Sequence, residues 1–343
     1  MKTIKIKFVG KWAGIRPEDN LVCYWLMKSG YDVQLSEEPD YIICDVFGNP
    51  PYEYCNYPQI RIFESGENYT PDFNVVDYAI CRYPISYADR CFYLPGCSNP
   101  GNYWHALAKK DRSYGKEFLK EKVYFANLIT SHDSEHEARS TFFQKLSKYK
   151  RVEAPGTFLN NMPGGETVNW KDDSKAQFQR KCKFTICFES TCHYGFITEK
   201  ITDAFYSDTI PVYFGSSNIT DIFNRNAFIN CSDYPSFDAV IERIKELDQD
   251  DEQYLEMLRQ PILVDPEYPQ KLDEELEAFI LNIFKQPMEK AYRRCRVYYP
   301  KEHDNYLARA IEPTREYLFK QRIKKSLIGL KRINGNLQKD KEA

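Results

Sequence analysis

Residues 183–217 read KFTICFESTCHYGFITEKITDAFYSDTIPVYFGSS, and the order of residue types in them decides the fold. The apolar run 184–188 has the composition of a buried strand and stops at Glu189 and Ser190. After a polar loop, Thr198 stands where it can cap a helix that carries Glu199 and Lys200 in its first turn. That helix is expected to end near Ser207, and the run 210–214 followed by Gly215 reads as the next strand of a parallel βαβ unit. Ligands of such units lie at the carboxyl ends of the strands, so Glu189, Ser190, Glu199 and Lys200 are expected to converge there. A lysine beside the positive end of a helix suits a diphosphate, and a neighbouring carboxylate suits sugar or ribose hydroxyls.

Working outward, the first third alternates strands and helices: strands over 4–9, 31–35, 41–46, 59–63 and 78–81, and a helix over 21–29. The strand at 59–63 runs into the acidic turn Glu64-Ser65-Gly66-Glu67-Asn68, where reactive groups would sit at a strand end. Residues 83–115 are rich in proline, glycine and aromatics without a sustained period and read as loops. A second α/β domain begins with a strand at 123–129. It continues through a helix at 138–149 with Arg139 in its first turn, a strand near 151–154, the 183–217 unit and helices at 236–247 and 250–259. A strongly amphipathic helix follows at 273–285. The expected organisation is α/β throughout, with domains over 1–118 and 119–300 and a C-terminal helix and basic tail over 301–343.

The 343 residues are 42% hydrophobic, enough for two ordinary cores, and 47 basic against 50 acidic side chains leave a formal charge of −3. No global polycation points to nucleic acid. The start, MKTIKIKFVG, alternates charged and apolar residues, so neither a signal peptide nor a transmembrane anchor is expected. Eleven cysteines without a C-x-x-C pair read as reduced, mostly buried thiols. No D-x-D stands at a strand end in the second half, where Asp172-Asp173 and Asp250-Asp251 fall in polar contexts. Residues 314–343 interleave Leu318, Ile323, Leu327 and Leu330 with Arg322, Lys324, Lys325 and Lys331, a basic amphipathic pattern suited to an anionic membrane surface.

The FES at Phe188–Ser190, followed by GFITEKI, DAF and TIPVYFG, resembles the donor-binding motif of the α1,3/α1,4-fucosyltransferases. These are inverting enzymes of GT-B fold that use GDP-L-fucose. The resemblance implies two Rossmann-like α/β domains facing across a cleft, with C-terminal helices. It also implies transfer of L-fucose from GDP-β-L-fucose to a hydroxyl such as O3 of GlcNAc in a lactosamine-type glycan. Where this chain has Ser190 the family commonly has asparagine, and where it has Phe196 the family often has tyrosine, so an amide or phenol role is not carried over at those positions. The string ESGENYTPDFN resembles the acidic loop of the bacterial members, which implies Glu67 as the catalytic base; an animal-type alignment would move the role to Glu64.

By the same resemblance Arg139 and Lys200 meet the diphosphate and Glu199 grips ribose or fucose hydroxyls. Glu189, Ser190, Tyr194, Phe196, Thr198 and Gly215 complete the donor site. No cofactor and no metal site are expected, GDP-fucose being a substrate and a divalent metal at most stimulatory. The expected partners are GDP-fucose, a glycan acceptor and an anionic membrane reached through the basic tail, with no nucleic acid, in a cytoplasmic protein lying peripherally on the inner membrane face. The alternatives are a GT-B transferase using another nucleotide sugar and a catalytically silent glycan or nucleotide-sugar binder, the latter belonging to a different class of function.

Overall fold

The structure is a computed structural model and describes residues 2–47, 52–98, 103–169, 172–295 and 297–310. In chain order come β1 (Thr3–Val9), α1 (Leu21–Lys28), β2 (Asp32–Leu35), β3 (Tyr41–Cys44), β4 (Ile60–Glu64), β5 (Tyr78–Cys81), β6 (Cys91–Tyr93) and α2 (Trp104–Ala108). Then follow β7 (Tyr124–Asn127), α3 (Ala138–Ser147), β8 (Val152–Glu153), α4 (Ser174–Arg180), β9 (Cys182–Phe188), α5 (Glu199–Tyr206), β10 (Ile210–Phe214) and β11 (Ile229–Asn230). The chain closes with α6 (Phe237–Gln249), α7 (Asp251–Arg259), α8 (Tyr268–Lys285), α9 (Met288–Ala291) and α10 (Tyr299–Ala310).

The strands form two sheets, one of order β2-β1-β3-β4-β5-β6 and one of order β11-β10-β9-β7-β8. Every registered pair in the second sheet is parallel, as are β1–β2, β1–β3, β3–β4 and β5–β6 in the first. Strand β1 alternates, burying Ile4, Ile6 and Phe8 while Lys5 faces solvent; β3 and β4 are buried at every residue, as interior strands covered on both faces must be. In the second sheet β9 contributes Phe184, Ile186 and Phe188 to a core completed by Phe142 and Leu146 of α3, Val212 of β10 and Val240 and Ile244 of α6. Three helices start on the caps their sequences offer: Asn20 accepts from the Cys23 amide, Ser236 from Ala239, and Asp250 from Glu252 and Gln253.

The described chain groups into two compact units: Met1–Glu64 with Asp72–Tyr78 and the chain from Gln286, and Ser65–Pro71 with Ala79–Lys285. The residue pair 118/119 falls between β6, the last strand of the first sheet, and β7, the first strand of the second. In the first unit the returning chain is held by charge. Buried Arg61 pairs with Asp304 at 2.6 Å, Arg294 with fully buried Asp77 at 3.0 Å, and His303 with Asp72 at 2.8 Å.

Most expected elements are present with shifts of one to three residues at their ends. The stretch expected to be loop, 83–115, carries β6 and α2, too short at three and five residues to show a period. Helix α8 begins at Tyr268, five residues before the expected start at 273. The basic segment 314–343 lies outside the described residues.

Candidate functional site

In the second sheet β7 has β8 on one side and β9 on the other, so the chain reverses its winding between β7 and β9. A crevice forms at such a switch point beyond the strands' carboxyl ends. The loops leaving β7 and β9 meet there: the Glu135 amide donates to the Ser190 carbonyl at 2.9 Å, and the Thr191 hydroxyl donates to the Glu135 carboxylate at 2.8 Å. His136 and Glu137, just ahead of α3, have φ of 56° and 53°, a left-handed geometry that costs side-chain-bearing residues about 1 kcal/mol or more each.

Arg139, only 1% exposed, occupies the switch point. Its Nε and Nη2 both donate to the Phe188 carbonyl, at 3.1 and 2.7 Å, and Nη1 donates to the Thr130 hydroxyl at 3.0 Å and the His132 carbonyl at 2.9 Å. All the acceptors of its guanidinium among the described residues are carbonyls or that one hydroxyl. Arg139 is thus not a helix-surface residue paired with Glu135 or Glu137. Burial pushes the Arg139 pKa down, partly offset by the charges of Glu189, Asp133 and Glu199. A fixed, oriented guanidinium with no bonded carboxylate is suited to an anion.

On the β9 side the carboxylate of Glu189 is 1% exposed. Its Oε1 accepts from the Thr198 amide at 2.7 Å, and Oε2 accepts from the Thr198 hydroxyl at 2.7 Å and from Lys200 Nζ at 3.0 Å. Lys200 also donates to Thr198 Oγ1 at 2.8 Å. Burial alone would lower the Lys200 pKa; the Glu189 and Glu199 charges and the Glu189 hydrogen bond outweigh it and raise the value. Glu199 shows the converse. Burial raises its pKa, but Lys200 and Lys175 outweigh that and hold the carboxyl below its ordinary range.

One expectation needs correction. Thr198 stands at the N-cap position of α5 with extended φ/ψ, but its hydroxyl makes no cap bond, because it is committed to Glu189 and Lys200. Gly215 is required by its own neighbours: a Cβ there would lie 2.6 Å from both Glu189 Cγ and the Tyr213 hydroxyl oxygen. Of the aromatics, Tyr194 is 57% exposed, whereas Phe196 is 4% exposed and contributes to the packing of its loop.

A cavity of about 410 Å³ opens beside these groups, lined among others by Ser134, Glu135, Glu189, Ser190, His193 and Phe214. The sequence reading missed Glu135 and the carbonyls of Phe188 and His132, and no residue-type signal marks a carbonyl as a ligand. Among the described residues no three His, Cys, Asp or Glu side chains gather as a metal site, and no helix is long and apolar enough to cross a membrane.

The two glutamates of the first acidic turn differ sharply. Glu64, at the end of β4, is 6% exposed and accepts from Asn20 Nδ2 at 2.7 Å, and its carbonyl accepts from Trp12 Nε1 at 3.0 Å. Glu67 lies on the exposed part of the turn, its amide donating to Ser65 Oγ at 3.2 Å and its carbonyl accepting from Tyr69 at 2.8 Å.

Two sheets of this topology, the second with an anion-ready cluster at its switch point, define the GT-B class. Residues 119–260 match the family model of the glycosyltransferase family 10 (fucosyltransferase) C-terminal domain, and residues 6–97 match the α-(1,3)-fucosyltransferase FucT N-terminal domain. The chain belongs to the family 10 fucosyltransferases. It is similar to α-(1,3)-fucosyltransferase FucT of Helicobacter pylori, 30% identical over 286 residues that make up 73% of this chain and 58% of the relative. The chain thus spans somewhat over half of that relative's length. The crystal structure of an α1,3-fucosyltransferase superposes with a TM-score of 0.70 at 25% identity, covering 87% of this chain and 93% of that one. A crystal structure of α1,3-fucosyltransferase with GDP-fucose shares the fold at a TM-score of 0.61 and 23% identity, over 81% and 91% of the two chains.

Proposed function

We propose that the protein transfers L-fucose, with inversion, from GDP-β-L-fucose to a hydroxyl of a glycan acceptor, O3 of GlcNAc in a lactosamine-type unit. The observation that supports this most is Arg139: a buried guanidinium held only by carbonyls and a hydroxyl, at the switch point of the second sheet. In this reading Arg139 and Lys200 share the diphosphate, and Glu199 takes ribose or fucose hydroxyls. Glu189 and Thr198 orient Lys200, and Tyr194 and Ser190 border the donor. The acceptor oxygen forms its bond to the anomeric carbon as the bond to GDP breaks, and the hydroxyl proton passes to the Glu67 carboxylate. Fixed cations stabilise the charge that develops on the departing diphosphate, the task a divalent ion performs in other transferases. No cofactor is needed, and a metal is at most stimulatory. The protein works in the cytoplasm and touches the inner membrane face through its basic tail.

The test is release of GDP from GDP-fucose with a panel of short glycans, run with and without saturating chelator. Transfer to a lactosamine-type acceptor that substantially survives the chelator is the expected result. Turnover of another nucleotide sugar in preference to GDP-fucose would overturn the donor assignment, and GDP binding without turnover would leave a silent binder. Metal-reversible loss of all activity would overturn the protein-only stabilisation of GDP.

A further inference from the structure

The residues assigned to the donor stand on a loop whose shape is set from outside it. Gly195 has φ of +84°, and a Cβ there would lie 2.4 Å from Cδ of Pro84. Its amide donates to Ser216 Oγ at 2.7 Å and Asn218 Oδ1 at 3.0 Å. Its carbonyl accepts from the Tyr93 hydroxyl at 2.7 Å. Two residues on, the Ile197 carbonyl accepts from the Cys97 amide at 3.0 Å. At Gly96 the approach is so close that a Cβ would stand 2.9 Å from that carbonyl oxygen and 3.2 Å from Thr198 Cα. The next amide, Thr198, goes to Glu189. Residues 195–198 are therefore tied at successive groups to the 93–97 turn and to the end of β9, all within one compact unit. Burial pushes the Tyr93 phenol well up, so it remains a hydrogen-bond donor across the working pH range.

We propose that Tyr93 is a positioning residue for the donor site: through the Gly195 carbonyl, and with the close packing of Gly96 on Ile197, it fixes the start of α5 so that Lys200 and Glu199 are preset for the nucleotide sugar. This inference rests on the donor reading above. Tyr93 and Gly96 act through the backbone that carries Thr198, Glu199 and Lys200. Tyr93→Phe keeps the ring and removes only the hydroxyl, and the loss of one hydrogen bond corresponds to about a 3- to 10-fold change in an equilibrium.

The test uses the full chain and GDP calorimetry, with separate KM values for GDP-fucose and acceptor and a melting curve. For Tyr93→Phe the expected result is GDP affinity weaker by about 3- to 10-fold. KM for GDP-fucose should rise in parallel while KM for acceptor stays within about twofold, and the melting temperature should move little. Gly96→Ala, which drives a Cβ against the Ile197 carbonyl, should weaken GDP further with the fold retained by circular dichroism. Wild-type GDP affinity in both folded variants would overturn the inference, as would equal losses in donor and acceptor KM, which mark a general structural role. A wild-type chain that binds no GDP would overturn the donor reading itself, and it is measured first so that the two failures are told apart.

Discussion

The loops that leave β4 and β9 both begin at a buried glutamate, and they differ in how firmly the next residues are held. Glu64 and Glu189 are both bonded, one to Asn20 and the other to Thr198 and Lys200. After β9 the chain is tied down at nearly every step to Lys200, and the result is a pair of cations, Arg139 and Lys200, held by neighbouring groups. After β4 the next glutamate, Glu67, is left exposed on a turn braced by short-range bonds. A site that must stabilise a leaving group benefits from charges that need no reorganisation, whereas a base must reach a hydroxyl that arrives with the acceptor. Buried glutamates at these strand ends shape loops, and under the proposed function the exposed Glu67 of the first turn is the base.

The strongest way to break that contrast is Glu67→Gln, which preserves shape and removes the proton acceptor. We expect kcat for fucose transfer to fall by about 10²-fold or more, in the range usual for a general base, with GDP affinity near normal. Stopped-flow or steady-state turnover paired with GDP calorimetry checks both halves, and an active Glu67→Gln enzyme would return the role to Glu64. Next in size is Arg139→Ala. Loss of charge-assisted bonds to a diphosphate is worth about 1.5–3 kcal/mol, so the GDP dissociation constant should rise by about 10- to 100-fold. Unchanged affinity in a folded variant would remove Arg139 from the site.

Much of this architecture was legible in the chain. The βαβ unit over 183–217 declared itself because a buried parallel strand, a helix start with Glu199-Lys200 and a second apolar strand each have their own composition, and β10 lies at 210–214 as expected. What the chain concealed depends on tertiary contact. Thr198 reads as a helix cap from composition, yet its hydroxyl is drawn away by a buried carboxylate nine residues earlier. Gly215 reads as the end of a strand, and what requires a glycine there is the closeness of Glu189 and Tyr213. Strand β6, with three half-buried residues at a sheet edge, has too little period to be seen, although it supplies Tyr93. Nor does any pattern of residue types show that Arg61 of β4 is paired with Asp304, 243 positions away.

A third experiment sharpens what the β9 loop is built to hold. Lys200→Met leaves the Glu189 carboxylate buried with Thr198 alone and should cost about 2–3 kcal/mol of stability, less than for a fully buried pair because Lys200 keeps 23% side-chain exposure. Adding Glu189→Gln should restore most of the stability while GDP binding stays weak, which separates the pair's structural and ligand-binding roles. Since the folded Lys200 pKa is raised, its contribution is fully present below the unfolded lysine value of about 10.4 and is lost as pH rises through the higher folded value. The stability gap between wild type and Lys200→Met in urea titrations should therefore be constant through neutral pH and narrow only in strong alkali. A gap that closes near neutrality would mean the pair is not the ionised one described.

The smallest expected effect is at Glu64, and it bears on the comparison most directly because the two strand-end glutamates share their burial. Asn20 spends its Oδ1 on the Cys23 amide, capping α1, and its Nδ2 on Glu64, so Glu64 fastens the end of β4 to the start of that helix. Glutamine at this position still offers a carbonyl oxygen to Asn20 Nδ2, and what is lost is the charged character of one hydrogen bond, about 1 kcal/mol. For a chain of this size that corresponds to a melting temperature lower by about 1–2 °C. Turnover should stay within about twofold, since the Glu64 carboxylate is turned to Asn20 and its carbonyl to Trp12. Loss of kcat in Glu64→Gln with an unchanged melting temperature would show that the buried glutamate meets the acceptor after all, and the division between buried glutamates that shape loops and an exposed one that moves protons would fail.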